Sequence, residues 1–196
     1  MTPKPHRRLF LERCGLVGLG AAAGWLVPAW FRDQERATAN QAGSPEEQLK
    51  KLGWKLPEIQ PSKSLIVPAV RAGNLLFVSG HTPVADGKPI VGKLGKDMEV
   101  KQGQEAARNV ALRFLAVVRA ELGSLDKVER LVKVLGMVNC TPEFTQTPAV
   151  VNGFSEVMIE LFGEKLGKGA RSAVGMSSLP GGVAVEVEAI FQVKAG

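Results

Sequence analysis

The chain has 196 residues, 45% hydrophobic and 22% charged, with two Cys and no Tyr; this suits one folded domain with an appendage and excludes a two-enzyme fusion and disordered, collagenous, coiled-coil or disulfide-scaffold classes. The net charge is +6, but Lys4, Arg7, Arg8, Arg13, Arg32 and Arg36 against Glu12, Asp33 and Glu35 lie before Asn40, which leaves +3 for the rest. So small a surplus, without interleaved Arg and aromatic residues, gives no electrostatic ground for a nucleic-acid partner.

Residues 1–39 read as a targeting segment, a short basic stretch passing into a Gly, Ala, Leu and Val-rich run from Cys14 to Trp30. Arg7-Arg8-Leu9-Phe10-Leu11 resembles the twin-arginine export motif, and Ala37-Thr38-Ala39 offers a small-x-small cleavage site. The expected location is therefore outside the cytoplasm, periplasmic after cleavage or held by a retained anchor. A cytoplasmic protein with an apolar N-terminal helix is the alternative. Membrane contact is expected only through this segment, and its removal would leave Cys140 without an intrachain partner. Residues 40–60 are polar and irregular, with an amphipathic patch from Glu46 to Leu52, and read as a linker. The folded domain is expected over 61–196.

Leu65 to Val70 and Leu75 to Ser79 are short apolar runs joined across Gly73-Asn74, the pattern of a β-hairpin. Asp86-Gly87 marks the next turn, before a short strand between Pro89 and Leu94. From Lys101 to Leu122 the apolar spacing is helical, and Gly123 stops it. Arg130 to Asn139 reads as a strand. A second helix is predicted from Thr147-Pro148, with the Thr147 hydroxyl as cap, to Gly163. Strands over Arg171–Ser178 and Ala184–Val193 complete an α+β two-layer domain, a mixed sheet with two helices on one face.

In the last strand Val185, Val187, Ala189, Phe191 and Val193 share one side, which leaves Glu186 and Glu188 on the other. In the preceding strand Val174 and Met176 oppose Arg171 and Ala173. With the Val-rich faces on the helices, Arg171, Glu186 and Glu188 would all project from the uncovered face. That face is partly apolar, since both sides of Arg130–Asn139 carry aliphatic residues, and it is expected to pack on another subunit. An Arg and two carboxylates at such an interface make a candidate small-molecule site. A structural ion pair between Arg171 and Glu186 or Glu188 is the alternative.

Several residues here resemble the Rid (reactive intermediate deaminase, YjgF-type) family. Val70-Arg71-Ala72-Gly73-Asn74-Leu75-Leu76-Phe77-Val78-Ser79-Gly80 is similar to its first hairpin, and Phe144 with Asn152 to its second-helix region. Arg171-Ser172-Ala173-Val174, Leu179-Pro180 and Val185-Glu186-Val187-Glu188-Ala189 are similar to its closing signature. The resemblance implies a chorismate-mutase-like fold, a homotrimer with sites between subunits, no cofactor, and hydrolysis of enamines or 2-imino acids to 2-keto acids and ammonia. It further implies that Arg171 binds the substrate carboxylate, that Glu186 positions water, and that Ser79, Gly80 and Asn152 line the pocket. Ile66 stands where the family usually has Tyr, and Ala173, a substrate-binding candidate, where it usually has Cys, with its backbone carbonyl still able to accept from a water. These replacements motivate a second reading, a non-catalytic trimer that binds a carboxylate-bearing metabolite.

Outside that resemblance, His81 follows Ser79-Gly80, but no acid is placed to orient it as part of a triad. Cys140 reads as a small buried hydrophobe. Two His in the whole chain, His6 and His81, and the one Cys beyond the leader form no ligand-spaced metal cluster.

Overall fold

The computed structural model describes residues 43–59 and 65–195; the twin-arginine-like segment and its cleavage site lie outside them. The amphipathic patch is helix α1, Pro45–Lys51, opened by a Ser44 and Glu47 capping box. It is docked on the domain through buried Leu49, while Glu46 accepts from the Leu125 N–H and pairs with Arg119 at 3.1 Å.

Strands β1, Ala69–Ala72, and β2, Leu75–His81, form the first hairpin, paired Ala72 to Leu75 around the two-residue turn. Gly73 has φ +62°, the left-handed first position that a type II′ turn requires. The hairpin starts at Ala69 rather than Leu65; Leu65, Ile66 and Val67 form an exposed irregular segment ahead of it. A minimal hairpin follows, β3 (Val84–Ala85) with β4 (Lys88–Pro89), across Asp86-Gly87 with both φ positive. The short strand expected up to Leu94 reduces to isolated bridges at Val91 and Leu94.

Helix α2, Val100–Leu122, buries one stripe and ends at Gly123, whose φ of +78° lets its N–H reach the Arg119 carbonyl. Strand β5, Val128–Asn139, leads to helix α3, Thr147–Gly167. The backbone leaves helical geometry at Gly163, φ +77°, the expected stop, and then adds a further turn. Thr147 does not cap α3; its hydroxyl donates to the Ala173 carbonyl at 3.2 Å, and Gln146 occupies the cap position. Strands β6, Ala170–Met176, and β7, Val185–Val193, complete the sheet in the order β1-β2-β7-β5-β6. All pairs are antiparallel except β5 with β6, which the α3 crossover makes parallel.

The core lies between one sheet face and the two helices. Val185, Val187, Ala189, Phe191 and Val193 all face it and are buried, as their alternation predicts. Two glycines bring α3 close. A Cβ on Gly136 of β5 would stand 2.5 Å from Val151, and one on Gly153 would stand 2.0 Å from the Gln104 carbonyl oxygen of α2. The fold is the α+β two-layer arrangement expected from the sequence, a mixed sheet with two helices on one face.

Candidate functional site

The polar residues singled out in the sequence fall into two clusters. The first surrounds Arg171 on edge strand β6. Its guanidinium Nη1 donates to Asn152 Oδ1 at 2.9 Å and to Ser155 Oγ at 3.0 Å, and Nη2 lies 3.4 Å from the Pro148 carbonyl oxygen. Pro148, Asn152 and Ser155 follow the i, i+4, i+7 spacing, a single stripe of α3 facing β6. The Gly136 notch sets the depth at which that stripe sits. Three neutral acceptors orient the guanidinium and leave its charge uncompensated, for no carboxylate among the described residues forms an ion pair with Arg171.

This placement corrects the expectation that Arg171 shares the uncovered face with Glu186 and Glu188. Arg171 pairs with Val134, which is 1% exposed beneath the helices, so its side chain points to α3. Val174 and Met176, expected on the core side, are 39% and 36% exposed instead. The apolar members of β6 taken alone turn Val174 and Met176 to the core. On a parallel edge strand the face is set by register with β5, and Val174 and Met176 fall opposite the half-exposed Met137 row. The ion pair of Arg171 with Glu186 or Glu188 is accordingly not formed.

Glu186 anchors the second cluster. It lies on the uncovered face of β7, opposite Met137 of β5, and its carboxylate crosses the backbone of Gly80. A Cβ on Gly80 would stand 2.1 Å from Glu186 Oε1, so only glycine leaves the carboxylate where it is. A bulge between Val78 and His81 of β2 makes this approach possible, inserting one extra residue opposite β7. Burial pushes the Glu186 carboxyl above the ordinary carboxylate range, and the Glu188 charge acts in the same direction. Ser79 Oγ donates to the Val67 carbonyl at 2.7 Å, tying the segment that carries Ile66 to the bulge.

Ser79 and His81 do not pair through their side chains. His81 Nδ1 lies 2.7 Å from the Ser79 backbone carbonyl, an acceptor, so this nitrogen carries the proton. The ring stands edge-on to Phe114. Burial, joined by the Arg113 charge, lowers the His81 pKa against the opposing pull of that carbonyl. Ile66, Ser79, Gly80 and His81 line one cavity with Arg113 of α2, a residue not singled out from the sequence. Cys140 is buried, as expected, and its sulfur lies under Gly175. Among the described residues no three His, Cys, Asp or Glu gather as a metal site.

Asn152 thus meets Arg171, and Gly80 meets Glu186, but the two clusters stay apart within one chain. β5 separates β6 from β7, two strand spacings or about 10 Å, and the side chains leave opposite faces of the sheet. Ser155 and the Pro148 carbonyl were missed beforehand, although the α3 spacing of 148, 152 and 155 carried the signal. The Ala173 carbonyl, expected to be open to a water, already accepts from Thr147.

Residues 46–181 match the family model described as "YjgF/chorismate_mutase-like, putative endoribonuclease". The chain belongs to this family. It is 41% identical over 153 residues to Protein TCP17 of Trypanosoma cruzi, covering 78% of this chain and 96% of that one. A RutC family protein of Pyrococcus horikoshii is 33% identical, covering 62% of this chain and 82% of its own. Among solved structures, a protein of unknown function from Agrobacterium tumefaciens superposes with a TM-score of 0.69 at 39% identity, over 76% of this chain and 92% of that one. Arg171 and Glu186, from the segments that resemble the closing signature, occupy separate clusters.

Proposed function

We propose that the protein hydrolyses small 2-imino acids or their enamine tautomers to a 2-keto acid and ammonia, in a homotrimer whose sites form between subunits. The observation that carries this reading is Arg171, a guanidinium oriented by three neutral acceptors with no carboxylate partner among the described residues. A planar cation held this way is prepared for a bidentate carboxylate. Glu186 and the Gly80 backbone of a neighbouring copy supply the other half of the site, since one chain keeps its own halves on opposite faces.

The chemistry asks for little more. With the substrate carboxylate on Arg171, water adds through oxygen to the imine carbon as the C=N π pair moves to nitrogen. Glu186 accepts the proton from that water and returns it to nitrogen. The carbinolamine then collapses: Glu186 takes the hydroxyl proton and delivers it to the amine nitrogen, C=O forms as the C–N bond breaks, and ammonia leaves. A carboxyl raised towards neutrality suits both directions of proton transfer.

Two observations favour a second reading, a trimer that binds a carboxylate-bearing metabolite without turning it over. The chain has Ile66 where deaminases usually place Tyr, and the Ala173 carbonyl is engaged by Thr147. One experiment separates them. 2-Iminopropanoate is generated in situ by an amino-acid oxidase, and its loss is compared for the protein and for Arg171→Ala. Acceleration that falls at least a hundredfold in the variant supports hydrolysis. Saturable pyruvate binding without acceleration supports the binding module, and equal acceleration by both proteins refutes the assigned role of Arg171. Nucleic-acid cleavage, suggested by the family description, finds less support: the surplus charge beyond residue 39 is +3, and the neutral His81 is committed to a backbone carbonyl.

A further inference from the structure

We infer that the cavity beside Ser79 and Gly80 receives a second anionic group, held by Arg113, so that the preferred substrates are dicarboxylic imino acids. This rests on the reading above for the reaction, but the cavity carries its own evidence. It has a volume of about 390 Å³ and lies between the Ile66 to Pro68 segment, the β2 bulge and the α2 turn bearing Arg113 and Val117.

Arg113 is the cation of this cavity. It projects from α2 between buried Val110, Phe114 and Val117, and its Nε is cut off from water with no hydrogen-bond partner. No carboxylate among the described residues lies within ion-pair distance of it. With Nε already lacking an acceptor and no carboxylate beside it, the guanidinium carries an uncompensated charge, and an anion entering the cavity would meet its remaining donors. Two other titratable groups line the space. His81 is kept neutral by burial and by the Arg113 charge, with Nδ1 committed to the Ser79 carbonyl, so it brings no competing charge at pH 7. Glu58 is exposed and unpaired with Arg113, so an incoming carboxylate breaks no existing bridge. The same cavity contains Ser79 and Gly80, which ties the second anion to the substrate site.

The test uses the full chain and two matched pairs of probes. Calorimetry compares 2-oxoglutarate with pyruvate, and the oxidase-coupled assay compares 2-iminoglutarate with 2-iminopropanoate. The expected result is at least tenfold tighter binding of 2-oxoglutarate and a similar advantage in kcat/KM for its imine. Arg113→Gln should erase the difference, and Arg113→Lys should retain part of it. Equal affinity for the two keto acids, heat from neither, or a preference that survives in folded Arg113→Gln would each overturn the inference. Should Arg113→Gln fail to fold, the wild-type comparison and Arg113→Lys decide. An Arg113-dependent preference in binding without turnover of either imine sustains the cavity assignment and refutes the reaction. Equal turnover of both imines with equal binding sustains the reaction and refutes the cavity assignment.

Discussion

Glu186 and Gly80 share their space so closely that neither residue can be considered without the other. The carboxylate occupies the volume a Cβ would need, and it does so on a sheet face where burial and Glu188 both oppose its ionisation. A carboxyl whose native pKa is raised above the usual 4.5 contributes stability below that pH, and the contribution is lost as pH rises through the native value. Ionised Glu186 therefore works against folding at neutral pH. Glu186→Gln should raise Tm at pH 7, leave it nearly unchanged at pH 4, and reduce turnover by about 10²-fold or more, the scale of a lost general base. Thermal melts at the two pH values, beside the imine assay, check both halves. A lower Tm at pH 7 would show that the carboxylate is a structural partner instead.

At the scale of elements, helix α3 does the positioning. Its Val151 enters the Gly136 notch of β5, and the stripe of Pro148, Asn152 and Ser155 then reaches Arg171 on the next strand. Removing either side-chain acceptor leaves the guanidinium charged but free to swing. Asn152→Ala and Ser155→Ala are each expected to raise KM by about tenfold with a smaller change in kcat, the signature of a lost carboxylate anchor. The double variant should approach the Arg171→Ala phenotype in KM while retaining its fold by circular dichroism. An effect on kcat alone would remove the positioning role. Much of this layer was legible: α2, β5, α3 and β7 follow from apolar periods, and Gly123 and Gly163 from their place at the ends of those periods. The face of β6 was not, because Arg-Ser-Ala-Val-Gly-Met carries no strong alternation and its orientation is inherited from Val134 across the ladder.

At the scale of the molecule, the two clusters lie on different faces, and exposed Phe77, Val70, Val174 and Met176 accompany them around the sheet. An apolar surface of this kind fits self-association. If a site takes Arg171 from one copy and Glu186 from the next, inactive Arg171→Ala and Glu186→Gln chains should complement each other. Refolding them together in equal amounts should restore about a quarter of the wild-type sites, from random closed trimers. No recovery, with sedimentation confirming mixed trimers, would mean that both residues serve within one chain.

By itself the sequence determined the layered fold and the identities of the polar residues worth following, because periods of 2 and 3.6 and turn glycines act over neighbours in the chain. The pairing of Arg171 with Asn152, the lodging of Glu186 over Gly80 and the meeting of Arg113 with His81 were decided only by tertiary structure. Each joins residues from separate elements, through a strand register, a β-bulge or a glycine notch, and such contacts follow from long-range packing that no local spacing encodes.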